Sequence, residues 1–153
     1  MKKFRDLIVN NIEDAKIIFV GLPYDKGCSV GKGSRFTPRN LRKLSYHLPA
    51  FTMDGLDIED CKIYDAGDIK ICKNYHDVVY EKLNGIFKYG KFPLFIGGDH
   101  SVSIPPQKLF LEHCKKNNYE PVIIHLDAHP DICDYYDNSY YSHACTIKRA
   151  IDN

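Results

Sequence analysis

The sequence has no long hydrophobic run. Its longest strictly apolar stretch is Ile17-Ile18-Phe19-Val20, far short of the ~20 residues that span a bilayer, so no membrane association is expected. No secretory leader is expected either. Met1-Lys2-Lys3 is basic, but only Leu7-Ile8-Val9 follows before Asn10-Asn11, which is no h-region. Neither charge is in excess: 21 Lys+Arg stand against 20 Asp+Glu, a net of +1. That removes the electrostatic case for nucleic acid or an anionic surface. The six cysteines, at 28, 61, 72, 114, 133 and 145, include no C-x-x-C pair, which speaks against a zinc ribbon or a thioredoxin-type site. They read as buried, reduced thiols of a cytoplasmic protein. Internal repeats, low-complexity tracts and linkers are absent too.

What is present is an ordinary globular composition, 44% hydrophobic and 27% charged over 153 residues, at about one domain's length. Short apolar runs rich in β-branched residues alternate with helical patterns. Ile17-Ile18-Phe19-Val20 stops at Gly21, Leu94-Phe95-Ile96 at Gly97-Gly98, and Val122-Ile123-Ile124-His125-Leu126 at Asp127. Such runs suit strands buried on both faces of a parallel sheet. Ile63-Tyr64 is a weaker fourth. Helices are expected from Thr37-Pro38, which offers an N-cap and an N1 proline, from Asn74 to about Tyr89, over 106 to 114, and over 142 to 151. The alternation predicts a three-layer α/β/α domain with a parallel sheet, whose ligands bind at the carboxyl ends of the strands.

The unusual residues fall at those ends. After the third run comes Asp127-Ala128-His129-Pro130-Asp131. In an extended segment, alternate side chains point to one side, so Asp127, His129 and Asp131 are expected to converge. Two carboxylates and an imidazole without a thiolate suit a fairly hard divalent ion, manganese rather than structural zinc. His100, in Gly97-Gly98-Asp99-His100-Ser101, ends the neighbouring strand and can join the set. Asp99 would cap the next helix or hold a ligand from behind. A pair of ions clamping a hydroxide at such a site would attack an electrophilic carbon.

These segments resemble the ureohydrolase family, which includes arginase, agmatinase and formimidoylglutamase. Gly97 to His100 is similar to its G-G-D-H motif and Asp127 to Asp131 to its D-A-H-x-D motif. Gly21 to Asp25, Gly31 to Pro38 with Leu41-Arg42, and Ser142-His143-Ala144 with Lys148-Arg149 resemble its flanking signatures. The resemblance implies hydrolysis of a guanidino compound to an amine and urea at a binuclear manganese site. It makes His100, Asp127, His129 and Asp131 the metal ligands, Asp127 bridging, and gives His143 a proton-relay or substrate-contact role. It also implies a homo-oligomer, a trimer or hexamer. The loop from Ile132 to Tyr141 holds no Lys or Arg, two Asp and four Tyr. Asp134 or Asp137 could meet a distal ammonium and the tyrosines an aliphatic chain, which favours agmatine over arginine. The same loop also reads as a solvated acidic turn whose tyrosines cover the core.

The family's third metal motif, S-x-D-x-D-x-x-D-P, is absent. The nearest acidic cluster, Asp54 to Asp60, has neither its spacing nor its context. Residues 1–153 therefore read as the N-terminal part of a single ureohydrolase domain, its sheet incomplete at the C-terminus. The chain alone is expected to be a poor or dead catalyst. A non-catalytic, metal-binding ureohydrolase-like fragment and a mononuclear metallohydrolase remain as alternatives.

Overall fold

The computed structural model describes residue 4 and residues 7–153. Three parallel strands form the sheet: β1 (Ile17–Leu22), β2 (Ile63–Asp68) and β3 (Phe92–Gly97), in the order β2-β1-β3. The helices are α1 (Thr37–Leu44), α2 (Tyr75–Phe87), α3 (Ile104–Lys116) and α4 (Thr146–Ile151). β1 lies at the centre because it is the run that can be buried on both faces. Ile18, Phe19, Val20 and Leu22 are 0–1% exposed, each contributing roughly 1.5–3 kcal/mol by burial.

Alternation along β1 sends its side chains to two different layers. Ile18, Val20 and Leu22 join Tyr75, Val79 and Leu83 of α2 and Leu109 of α3 in one core. Phe19 and Gly21 face α1. The Arg42 guanidinium lies 4.6 Å over the Phe19 ring, and a Cβ on Gly21 would come within 2.9 Å of Pro38 Cβ and 1.9 Å of Asp68 Oδ1. Only glycine lets β1, β2 and α1 approach so closely, and the β1–β2 register shifts between Phe19 and Gly21. Helices on both faces of a parallel sheet make the three-layer architecture expected from the sequence.

The helix starts differ in detail. A 3₁₀ turn, Ser34–Phe36, runs directly into α1, so Thr37 is its first residue rather than its cap. Asn74 does occupy the cap position of α2, but its side chain makes no capping bond. α3 begins earlier than expected, with prolines in its first turn, because the 3₁₀ turn His100–Ser103 feeds it. α4 starts at Thr146, after the 3₁₀ turn His143–Cys145 that Ser142 precedes.

One expected strand is not a strand. Residues 122–126 have no ladder partner and make no backbone hydrogen bond among the described residues. An apolar run becomes a strand only where a neighbour completes its ladder. Among the described residues β3 is paired with β1 on one edge alone, and a cleft of about 390 Å³ lies between β3 and residues 122–123. Val122, Ile124 and Leu126 consequently stand 73, 81 and 93% exposed. Among the described residues, no helix is long and apolar enough to cross a membrane.

Candidate metal centre

The turn after β3 is fixed by close packing. A Cβ on Gly98 would fall 2.0 Å from the Tyr24 carbonyl oxygen, and the Gly98 and Asp99 amides donate to the Leu22 and Tyr24 carbonyls at 3.1 and 2.8 Å. Asp99 is then committed to the framework. It is 6% exposed, and its carboxylate accepts from Ser101 N at 2.9 Å, Ser101 Oγ at 2.5 Å and Gly27 N at 2.8 Å. Ser101 Oγ also meets His76 Nε2 of α2 at 3.1 Å. Burial lowers the basicity of His76, against the pull of Asp99 and Asp77. The outcome is that His100, next along the chain, is aimed away from the core.

His100 Nδ1 lies 2.6 Å from Asp131 Oδ2 and 3.3 Å from Asp127 Oδ2. Asp131 reaches this point by a left-handed backbone, φ 49°, and is held there because its carbonyl accepts the Ile147 and Lys148 amides, each at 3.0 Å. Those are free donors of the first turn of α4. Asp127 accepts from the His129 amide at 2.9 Å. That bond, with the nearby imidazoles of His100, His125 and His129, holds its carboxyl below the usual carboxylate range.

The expected three-way convergence is only partly realised. His100, Asp127 and Asp131 come together, while His129 is 80% exposed with Nδ1 3.6 Å from Asp127 Oδ1. Residues 127–129 form a bend, closed by the His129 amide on Asp127, rather than the extended chain on which the convergence of all three depended. His125 enters the cluster instead. Its ring stacks on His100 at 5.3 Å between centroids, and its Nε2 is 3.7 Å from Asp127 Oδ2. Donor atoms of His100, His125, Asp127 and Asp131 all lie within 4.8 Å of one another. Sequence reasoning missed His125, although the same period of two extends from Asp127 back to it. The His125 Nε2 atom is buried and has no hydrogen-bond partner among the described residues, and an imidazole in that condition beside two carboxylates is a donor set that suits a divalent ion.

The remaining candidates lie around this cluster. His143 Nδ1 is 2.6 Å from the Gly27 carbonyl oxygen. A carbonyl only accepts, so Nδ1 carries the proton and Nε2, 3.5 Å from Ser29 Oγ, is the basic nitrogen. Asp134 is exposed and lies 3.4 Å from Lys148 Nζ and 3.9 Å from Arg149 of α4, so cations distant in sequence already face it. Asp137 and Asn138 have φ 51° and 55° in a tight turn closed by the Tyr136–Ser139 bridge. The upstream signature works as a staple. Asp25 accepts from Gly33 N at 2.8 Å and pairs with Arg35 at 3.1 Å; burial opposes its ionisation, but these donors hold it below the usual carboxylate range. Arg42, 0% exposed, bonds Asp65 at 2.7 and 2.8 Å and Asp68 at 2.5 Å.

The model of the arginase family matches residues 15–153. An agmatinase of Pyrococcus horikoshii is 32% identical over 145 residues, covering 91% of this chain and 48% of that protein. An agmatinase of Bacillus subtilis is 34% identical over 146 residues, covering 92% of this chain and 49% of its own length. The solved agmatine ureohydrolase of Thermoplasma volcanium superposes with a TM-score of 0.81 at 28% identity, over 99% of this chain and 50% of that one. The chain thus spans about half the length of the curated relatives it matches.

Proposed function

This chain belongs to the arginase family, and on that premise we propose that it contributes the first metal-ligand half of a manganese-dependent ureohydrolase acting on agmatine. The carrying observation is the cluster of His100, Asp127 and Asp131, with His100 Nδ1 2.6 and 3.3 Å from the two carboxylates. These three side chains, with His125 beside them and His129 from the same motif, would hold the metal, two ions in the completed site. Bound there, the metal would supply hydroxide at neutral pH and polarise the guanidinium carbon. Asp99, Ser101 and Gly27 hold the turn that presents His100. His143, with Nδ1 committed to Gly27, keeps Nε2 to pass a proton to the departing amine or to contact substrate.

Two features of the loop favour agmatine. It has no cation of its own to hold an α-carboxylate, and Tyr135 and Tyr136 are 66 and 41% exposed and could meet an aliphatic chain or an ammonium, whereas the Tyr140 ring already carries the Arg149 guanidinium at 3.7 Å. Asp137 and Asp134 are the carboxylates available for that ammonium. Asp134 is the weaker candidate, since Lys148 and Arg149 compete for it.

The test is manganese-dependent urea release from agmatine and arginine. Release that is slow, faster from agmatine than from arginine, and lost in Asp127→Asn, is the expected result. A rate on arginine equal to or above that on agmatine contradicts the substrate. Manganese binding with no urea from either favours the second reading, a metal-binding fragment without catalysis, which rests on there being only four ligand candidates in the two motifs.

A further inference from the structure

His76 belongs to neither metal motif, yet it touches the segments that build the site. It lies in the first turn of α2 and is 7% exposed. Its Nε2 is 3.1 Å from Ser101 Oγ. Its ring stacks on Tyr141, at the end of the tyrosine-rich loop, at 4.5 Å and 8°, and meets the Tyr24 ring edge-on at 5.1 Å. The polar contact has a direction. The Ser101 hydroxyl has one proton and gives it to Asp99 Oδ1 at 2.5 Å. Towards His76 its oxygen can therefore only accept, so Nε2 carries the imidazole proton. Asp99 gathers that bond together with the Ser101 and Gly27 amides, at 2.9 and 2.8 Å. The packing around Gly27 leaves no slack: a Cβ there would fall 3.0 and 3.1 Å from the Asp99 carboxylate oxygens and 3.1 Å from Ser101 Oγ. The Gly27 carbonyl in turn accepts His143 Nδ1 at 2.6 Å. One chain of hydrogen bonds thus leads from α2 to both histidine-bearing segments of the site.

We propose that His76 is a positioning residue of this site: its Nε2–H fixes the Ser101 hydroxyl on Asp99, and Asp99 then sets both the turn that presents His100 and the Gly27 carbonyl that holds the His143 tautomer. Packing alone is the weaker account. A ring that only filled space beneath Tyr141 would need no buried polar nitrogen, which is costly unless it is hydrogen-bonded. A buried polar network whose members are all satisfied instead fixes one arrangement of the groups around it, and partners standing behind a metal ligand orient it. The consequence for metal affinity rests on the reading of His100 as a ligand. The positioning of the two segments does not, so it is tested with metal chelated as well.

Two substitutions separate the ring from its proton. His76→Gln keeps an N–H donor near the Nε2 position and loses the ring, whereas His76→Phe keeps the stack on Tyr141 and loses the donor. Both chains are followed in EDTA by amide hydrogen exchange and by nitrogen NMR of the His143 ring. His76→Phe is expected to exchange the Gly27 and Ser101 amides about tenfold faster, with residues 18–20 still protected, and to let His143 populate both tautomers. His76→Gln should stay close to the native chain. In a manganese(II) titration, affinity should fall about tenfold in His76→Phe and hold in His76→Gln. Ser101→Ala, which removes the hydroxyl and leaves the His76 ring in place, should repeat the His76→Phe result, so the outcome does not hang on the folding of one variant. The opposite order, with His76→Gln impaired and His76→Phe native-like, is what packing alone requires and overturns the proposal. So does native exchange at Gly27 and Ser101 in His76→Phe, or unchanged manganese affinity in that variant. Absence of manganese binding by the native chain overturns the metal reading instead, and the exchange and tautomer results still decide this one.

Discussion

At the scale of single residues, the family-like motifs divide into side chains aimed at the site and side chains that build its wall. The sequence made His100, Asp127 and Asp131 visible by type and spacing, and the structure brings them within contact of one another. It could not reveal the bend at 127–129 that leaves His129 in solvent, nor that His125 joins the cluster. Long-range pairs were equally illegible. Arg42 lies fully buried against Asp65, 23 residues away, and removing one member strands a buried charge. Arg42→Met is therefore expected to cost about 3–5 kcal/mol, read as a lowered urea midpoint; a loss under about 1 kcal/mol would contradict the pairing. His76 gives a pH signature. Burial holds it neutral in the fold, while the unfolded chain takes up a proton near the ordinary value of about 6.5. Its contribution is therefore complete above that pH and is lost as the pH falls through it. Urea midpoints should drop between pH 7 and 5 more steeply for the native chain than for His76→Gln, and equal slopes would refute the assignment.

Among the elements, β1, β2 and β3 were all legible as runs, and each proved longer than its apolar core. Glycine and aspartate at their ends stay in register with neighbours that the sequence cannot display. Helix starts were displaced by 3₁₀ turns at Ser34–Phe36, His100–Ser103 and His143–Cys145, because a cap residue's type does not say whether the preceding turn is already wound. The strongest β-like run, 122–126, is the one without a ladder. The weak pair Ile63-Tyr64 does form one, since pairing depends on what lies alongside and not on the run itself. This contrast is measurable. In the isolated chain, amides of residues 122–126 should exchange at rates near those of unstructured peptide, while those of 18–20 are protected to the level of global unfolding. Slow exchange across 122–126 would mean that a partner strand is already in place.

Taken whole, the described residues form a three-stranded, three-layered arginase-fold arrangement, and the chain spans about half the length of the relatives it matches. Its chemistry-bearing groups are collected where β3 and residues 122–126 end. The most direct test of the central claim needs only the chain itself, a titration with manganese(II) in which the free ion is followed by electron paramagnetic resonance. The account predicts saturable binding by the native chain and its loss in Asp127→Asn/Asp131→Asn. Asparagine tolerates the left-handed backbone at 131, so the fold should persist, as circular dichroism can verify. No saturable binding by the native chain, or binding undiminished in the folded variant, would contradict it.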